Sequence, residues 1–271
     1  MITSTNNAQV KQIMQLSRKS RERKKQDVFL VEGVKMFREA PRERLIKTYV
    51  SESFVSDAGH RKLLDGIDYE VVKESVFSQM SDTLTPQGIL TLVRQYHYRL
   101  EEMNGLGEPP LYLLLEDLQD PGNVGTIFRT AEGAGVTGII MTKNCVDIYN
   151  PKTIRSTMGS IYRVPFICVD SVEEIWKWFE KNEVSTYAAH LKGEKDYDRE
   201  NYRKGTAFLI GNEGNGLTEE LSKKADYWIR IPMKGKLESL NAGVASAILM
   251  YEAARQRRTS ADTESKTEKG V

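Results

Sequence analysis

The run Leu111-Tyr-Leu-Leu-Leu115 is apolar at every position. A strand with no polar face has to be covered on both sides, as in a parallel sheet. Similar short runs recur at Gly138–Met141, Val164–Val169, Ser185–Ala189, Ala207–Ile210 and Tyr227–Ile231, with helix-length stretches between them. Strand and helix in alternation constrain this part of the chain to an α/β fold with a mostly parallel sheet. Residues 1–95 form a smaller α/β unit. It begins with a helix over 5–22, with Val10, Ile13, Met14 and Leu16 on its apolar side, followed by a strand at Asp27–Val31 and a short helix at Lys35–Ala40. Runs at Thr48–Val50, Tyr69–Val72 and Ile89–Val93, with a helical stretch around His60–Leu64, complete it. Residues 96–110, which carry Asn104, Gly105, Gly107 and Pro109-Pro110, are expected to be a linker. Residues 111–257 then form the second domain, and 258–271, almost without apolar side chains, a disordered tail.

Several function classes are excluded early. No apolar run approaches the roughly 20 residues of a membrane helix, and the polar start lacks a signal-peptide core, so a cytoplasmic protein is expected. Cys145 and Cys168 lie beside apolar runs and are expected to be buried thiols, with neither a disulfide framework nor a metal-ligand spacing. His60, His97 and His190 are scattered and no serine-hydrolase elbow accompanies them, which argues against covalent catalysis. A net charge of +1 argues against non-specific polyanion binding by the whole chain, yet Arg18–Lys25 gathers six basic residues against one acid. That segment either attracts a phosphate backbone or decorates a solvated helix end.

Three polar, glycine-bearing loops follow apolar runs, as expected of loops gathered along one edge of a parallel sheet. In the first, Asp117–Ala131, Pro121-Gly122 makes a turn, Asn123 is the expected helix N-cap, and Ile127, Ala131 and Ala134 face the core. Arg129 then points away from that core. It is either an ordinary exposed arginine or, with Asn123, a fork for a phosphate. The second loop, Gly211–Gly216, has the spacing G-x-x-G-x-G, the wrong order for the nicotinamide fingerprint G-x-G-x-x-G, and no P-loop lysine follows. It is either a surface turn or a bare backbone against which a flat ligand can lie. The third runs from Ile229 to Asn241 and sets Glu238, Ser239 and Asn241 at the mouth of a final helix, expected over Glu238 to about Arg257. Leu240, Val244, Ala247, Ile248 and Tyr251 form that helix's expected apolar stripe.

Together and in this order, the three loops resemble the motifs of the SpoU/TrmH-type RNA 2′-O-ribose methyltransferases of the SPOUT superfamily. Asn150-Pro-Lys-Thr-Ile-Arg-Ser-Thr-Met-Gly159 is similar to the family's inter-motif segment, and the first unit, with Asn7, Lys11, Arg18 and Phe29-Leu-Val-Glu-Gly33, to a ribosomal-protein-like RNA substrate-binding domain. The resemblance implies a trefoil-knotted C-terminal domain, a homodimer, and S-adenosylmethionine held around Thr186, Ala188, His190, Leu209, Ile210, Gly211, Asn212, Gly214, Ile231, Pro232, Met233, Leu240 and Asn241. It implies a catalytic role for Arg129, with Asn123, Glu213, Ser239 and Asn241 around it. RNA would meet Lys11, Arg18, Lys19, Arg21, Arg23, Lys24, Lys25 and Arg155. The reaction implied is methylation of a ribose 2′-hydroxyl in structured RNA. The N-terminal domain favours 23S ribosomal RNA over transfer RNA, and a non-catalytic RNA-binding or assembly factor is the alternative of another class. Base methylation at cytosine carbon would need a cysteine nucleophile, and neither cysteine lies in the three loops.

Overall fold

Two compact units divide the chain, and the division is not a single cut. A computed structural model describes residues 1–105 and 107–268, with side chains as far as Thr259. Unit 1 comprises Met1–Tyr96 together with Asp147–Tyr162; unit 2 comprises His97–Val146 and Arg163 onward.

Unit 1 contains strands β1 (Val28–Glu32), β2 (Leu45–Ser51), β3 (Tyr69–Val72) and β4 (Ile89–Arg94), ordered β1-β4-β2-β3, with β2 and β3 parallel and the other pairs antiparallel. Its helices begin with α1 (Ala8–Arg18) and α2 (Ser20–Gln26), followed by the short α3 (Val34–Glu39), α4 (Glu52–Ser56), α5 (Ala58–Arg61) and α6 (Glu74–Met80). One core joins Val10, Ile13 and Leu16 of α1 to Leu30, Tyr49, Phe77 and Leu92. The single helix expected over 5–22 is two, because Lys19 takes an extended conformation that ends α1 and precedes α2. Asn7 caps α1, its side-chain oxygen accepting the Gln9 N–H at 2.8 Å.

That break changes the basic segment. Lys11, Arg18, Lys19, Arg21, Lys24 and Lys25 are exposed, but Arg23 is 3% exposed and does not face solvent. Its guanidinium donates to the Leu16 and Ser17 carbonyls at 2.6 and 3.1 Å and to one Asp147 oxygen at 2.5 and 3.1 Å. Arg23 is therefore a structural clasp. Removing one partner of a buried pair strands the other, so Arg23→Met is expected to lower stability by about 3 kcal/mol in denaturant titrations, whereas exposed Lys24→Met stays within about 0.5 kcal/mol.

Unit 2 holds the sheet foreseen from the apolar runs: β5 (Leu111–Leu115), β6 (Gly138–Thr142), β7 (Phe166–Val169), β8 (Ser185–Ala189), β9 (Lys195–Asp196), β10 (Thr206–Ile210) and β11 (Tyr227–Arg230). The order is β7-β6-β5-β10-β8-β11-β9 and every pairing is parallel. Every residue of β5 and β10 is buried. Helices α7 (Pro121–Ala134), α9 (Glu173–Lys181), α10 (Glu219–Lys224) and α11 (Ala242–Glu268) belong to this unit, whereas α8 (Pro151–Thr157) lies in the Asp147–Tyr162 segment of unit 1. The apolar runs of β5 and β10 thus occupy the middle of the sheet, and the thinner, more polar β9 its edge.

Several expectations change. The expected linker packs: Met103 is fully buried beside Tyr112, with Leu100 against the same cluster. Arg257 reinforces this from α11, donating to the carbonyls of Pro109, Pro110, Tyr202 and Lys204 at 2.6 to 3.1 Å. Cys168 is exposed and Cys145 half-buried, so neither is the fully buried thiol expected; burial pushes the Cys145 thiol up. The backbone of α11 continues to Glu268 through most of the expected tail, and residues 269–271 lie outside the described residues. Among the described residues, no helix is long and apolar enough to cross a membrane.

Candidate active site

The strand order of unit 2 reverses between β5 and β10: β6 and β7 build outward from β5, and β8, β11 and β9 from the far side of β10. Such a switch point opens a crevice at the carboxyl ends of the strands. A cleft of about 940 Å³ lies to the β10 side of this point, lined by residues that follow β8, β10 and β11 and by the start of α11. It is within the size range of small-molecule sites.

Of the residues expected to bind a cofactor, His190, Ile210, Gly211, Asn212, Gly214, Ile231, Pro232, Met233 and Leu240 line this cleft, as do Glu213 and Ser239. Thr186, Ala188, Leu209 and Asn241 do not. Ala188 and Leu209 are fully buried in the core beneath. Thr186 is turned to Asp226, whose carboxylate accepts its N–H and hydroxyl, each at 2.8 Å. Position along the strand accounts for these three, since only the last residue of β8 and of β10 reaches the cleft. His190 packs against Trp228, the tilted rings 4.4 Å apart between centroids, and burial, with Lys192 nearby, holds its pKa below the usual imidazole value.

The three loops meet in a chain of hydrogen bonds. Asn241 donates to Asn123 at 2.8 Å, and Asn123 donates to Glu213 at 3.0 Å. The Glu213 carboxylate also accepts the backbone N–H groups of Gln119 and Asp120, at 3.1 and 3.0 Å. Burial raises its pKa, but these donors outweigh burial and hold the carboxyl below its ordinary value. Asn212 adds a second tie, donating to the Asp117 carbonyl at 2.7 Å. The loop it begins is closed by paired backbone bonds between Asn212 and Gly216. Gly211 is required there: a Cβ on it would fall 2.1 Å from the Gly216 carbonyl carbon.

Asn123 is not the N-cap that its residue type suggested. Asp120 is the cap, accepting the Asn123 N–H at 2.7 Å, with Pro121 in the first helical turn. This frees the Asn123 side chain to join Glu213 and Asn241. The Asp-Pro pair carried the cap signal. Likewise α11 begins at Ala242 rather than Glu238, and Asn241 caps it by accepting the Gly243 and Val244 N–H groups. Its buried face is Ala242, Ser246, Leu249, Met250 and Ala253; Val244 and Tyr251 of the expected stripe are exposed. Sequence reasoning also missed Glu116, whose carboxylate accepts both the N–H and the hydroxyl of Thr218, each at 2.7 Å, and so ties the end of β5 to the start of α10.

Arg129 lies on the exposed side of α7 as expected, makes no hydrogen bond or ion pair among the described residues, and does not line the cleft of its own chain. Arg155, in unit 1, is paired with Asp82 at 3.0 Å.

Comparison with known proteins agrees with this geometry. The model of the SpoU rRNA Methylase family matches residues 110–251, and that of the MRM3-like substrate binding domain matches residues 7–91. The chain belongs to the SpoU rRNA methylase family. It is 32% identical over 255 residues to the 23S rRNA (guanosine(2553)-2′-O)-methyltransferase RlmP of Bacillus subtilis strain 168, covering 92% of this chain and 97% of that one. Among SpoU structures, that of AviRb from Streptomyces viridochromogenes in complex with the cofactor AdoMet superposes with a TM-score of 0.85 at 27% identity, covering 93% and 98% of the two chains. An AdoMet-bound rRNA methyltransferase from Sinorhizobium meliloti gives 0.80 at 30% identity, covering 94% and 97%.

Proposed function

We propose that this SpoU family member transfers a methyl group from S-adenosylmethionine to a ribose 2′-hydroxyl of 23S ribosomal RNA. The observation that carries the reading is the hydrogen-bond chain Asn241–Asn123–Glu213, which ties the first motif loop to the second and third, the two that line the cleft. The relatives' activity and bound AdoMet support it.

The cleft fits this cofactor, because Ile210, Ile231, Pro232 and Leu240 offer apolar walls with main-chain polar groups between them, and no phosphate cradle is needed. When bound, S-adenosylmethionine supplies a methyl group on a positively charged sulfur, open to in-line attack by an oxygen nucleophile. The protein's task is then to hold the ribose in line and to manage one proton. Glu213 is poorly suited to take that proton, since both of its oxygens already accept hydrogen bonds and its pKa is low. It is a positioning residue. Arg129 is assigned to the RNA phosphate beside the reacting ribose and to the developing alkoxide, with the proton leaving through phosphate or water; guanidinium stays charged and is a poor base. Ser239 lines the cleft, and Asn241 holds Asn123 in place.

Arg129, exposed on α7, is available to complete the site of a second subunit, and a homodimer built that way is part of this reading. The exposed Val244 and Tyr251 of α11 are the surface offered for that contact. The trefoil threading of the C-terminal segment and action in the cytoplasm belong to the same reading.

Incubation with labelled S-adenosylmethionine and unmodified total RNA, followed by ribose-methylation sequencing, tests the proposal. A single 2′-O-methyl site in 23S RNA is expected. A site in transfer RNA would redirect the substrate, and cofactor binding without transfer to any RNA would favour an assembly factor. The basic segment should supply affinity: neutralising Arg18, Lys19, Arg21, Lys24 and Lys25 together is expected to weaken RNA binding and flatten its salt dependence by about 0.7–0.9 in slope for each phosphate no longer neutralised. An unchanged slope would remove the segment from the interface.

A further inference from the structure

Leu84 is the most exposed large apolar residue of the described chain, at 104% of its reference area, and it sits on a loop that is not loose. At one end of the loop, Glu32 accepts the Ser81 and Thr83 hydroxyls and the Asp82 N–H, and Asp82 is paired with Arg155. At the other, the Gln87 side chain accepts the Val34 N–H at 2.9 Å, and the Gly88 carbonyl accepts the Ser51 N–H at 2.9 Å. Gly88 has φ +75°, and a Cβ there would fall 2.6 Å from the Ser51 hydroxyl, so the turn is fixed by its own tight packing. All of these residues lie in unit 1. A leucine held out in water on a rigid loop contributes nothing to its own core.

What stands next to the loop narrows the partner. Ser17, in the last turn of α1, lines the same small recess as Asp82 and Arg155, and the exposed Arg18 and Lys19 follow it directly. Lys24 and Lys25 continue the positive surface along α2. An apolar tip beside a cluster of cations is complementary to a nucleic acid, whose phosphates meet the cations while an unstacked base or an opened base step receives the apolar side chain. A protein partner would instead call for an apolar patch, and around Leu84 the loop offers Asp82, Thr83, Thr85 and Gln87, with the half-buried Pro86 its one other apolar side chain.

We infer that the Ser81–Gly88 loop is a second RNA contact of unit 1, in which Leu84 is a wedge set against an unpaired base or base step of the substrate. This rests on the RNA methyltransferase reading and adds a contact that reads RNA shape rather than charge. Because the loop is already ordered, little freedom is lost on binding.

The test uses the full chain with unmodified ribosomal RNA. A benzophenone amino acid replacing Leu84 is expected to crosslink to RNA. Leu84→Ser is expected to raise KM for RNA about tenfold, the scale of exposing one leucine, with kcat nearly unchanged; Leu84→Met should stay near wild type. The salt slope of binding should not move, because leucine neutralises no phosphate, and the melting temperature should hold, because the side chain touches no core. An unchanged KM in Leu84→Ser, or a crosslink confined to a second copy of the chain or another protein, would overturn the inference. If wild-type protein transfers no methyl group to any RNA, the catalytic reading fails by itself, and the crosslink still decides the contact at Leu84.

Discussion

Arg129→Ala is expected to lower methyl transfer about 10²- to 10³-fold while leaving S-adenosylmethionine affinity within about twofold of wild type. The magnitude is that of removing one preorganised donor from a developing oxyanion, about 3–4 kcal/mol. Separation of the two effects follows from the geometry, since Arg129 is exposed on α7 and does not line the cleft. Arg129→Lys keeps the charge but loses the two-pronged fork, so it should fall between the two proteins; full activity in the lysine variant would rule out bidentate binding. If the protein is the homodimer proposed above, mixing variants sharpens the result. Combining Arg129→Ala subunits with Gly211→Ala subunits, whose cofactor loop is blocked by the close approach of Gly216, should restore part of the activity if the arginine serves the partner's cleft. No restoration at any mixing ratio would count against an arginine that serves a partner's cleft. Turnover, cofactor binding by calorimetry and mixing can all be measured on one set of proteins.

Glu213→Gln should produce the second largest change. The glutamate accepts three hydrogen bonds from the first loop, two from backbone N–H groups and one from Asn123. An amide replaces one acceptor oxygen with a donor, and that donor faces N–H groups that need an acceptor. A charged acceptor contributes about 1.5–3 kcal/mol per hydrogen bond, less where solvent reaches it, so kcat/KM is expected to drop about ten- to a hundredfold. The pH dependence has a definite sign. The folded-state pKa is lowered, so the carboxylate's contribution is fully present above the unfolded value near 4.5 and is lost as pH falls through the lower folded value. Wild type should thus lose stability in acid more steeply than Glu213→Gln below about pH 4.5. Parallel acid titrations of the two proteins would contradict the assignment.

Much of the fold was legible because it rests on burial. Leu111–Leu115 and Ala207–Ile210 are apolar at each position and proved to be neighbouring central strands, each foreseen to within one residue. Tyr69–Val72 and Ser185–Ala189 were foreseen to the residue. Arg129 faces away from the core as spacing required. What escaped the sequence was decided by competition between equivalent polar residues. Asp120 and Asn123 can both cap α7, and only the position of Glu213, some ninety residues on, decides that Asn123 turns inward. Six basic residues in 18–25 look alike, yet Arg23 alone meets Asp147 across a separation of 124 residues and is buried. The expected α11 stripe was out of register with the face that packs: Ala242, Ser246, Leu249, Met250 and Ala253 are buried while Val244 and Tyr251 stay outside. With apolar and small residues on both faces of this helix, periodicity alone does not choose between them.

The division of the chain into Met1–Tyr96 plus Asp147–Tyr162 bears on modularity. Tyr149 stacks on Phe29 at 4.8 Å and exchanges hydrogen bonds with the Tyr96 backbone, and the Tyr162 hydroxyl donates to the Met36 carbonyl. Cutting at residue 96 would therefore not yield two autonomous pieces: the N-terminal piece would lack part of its own wall, and the remainder would carry an excursion with Tyr149, Ile154, Ile161 and Tyr162 stripped of cover. Exchange of the recognition module between relatives, whether by recombination or by design, has to transplant two stretches of sequence at once. A substrate-binding unit built this way is inherited with its catalytic unit, not appended to it.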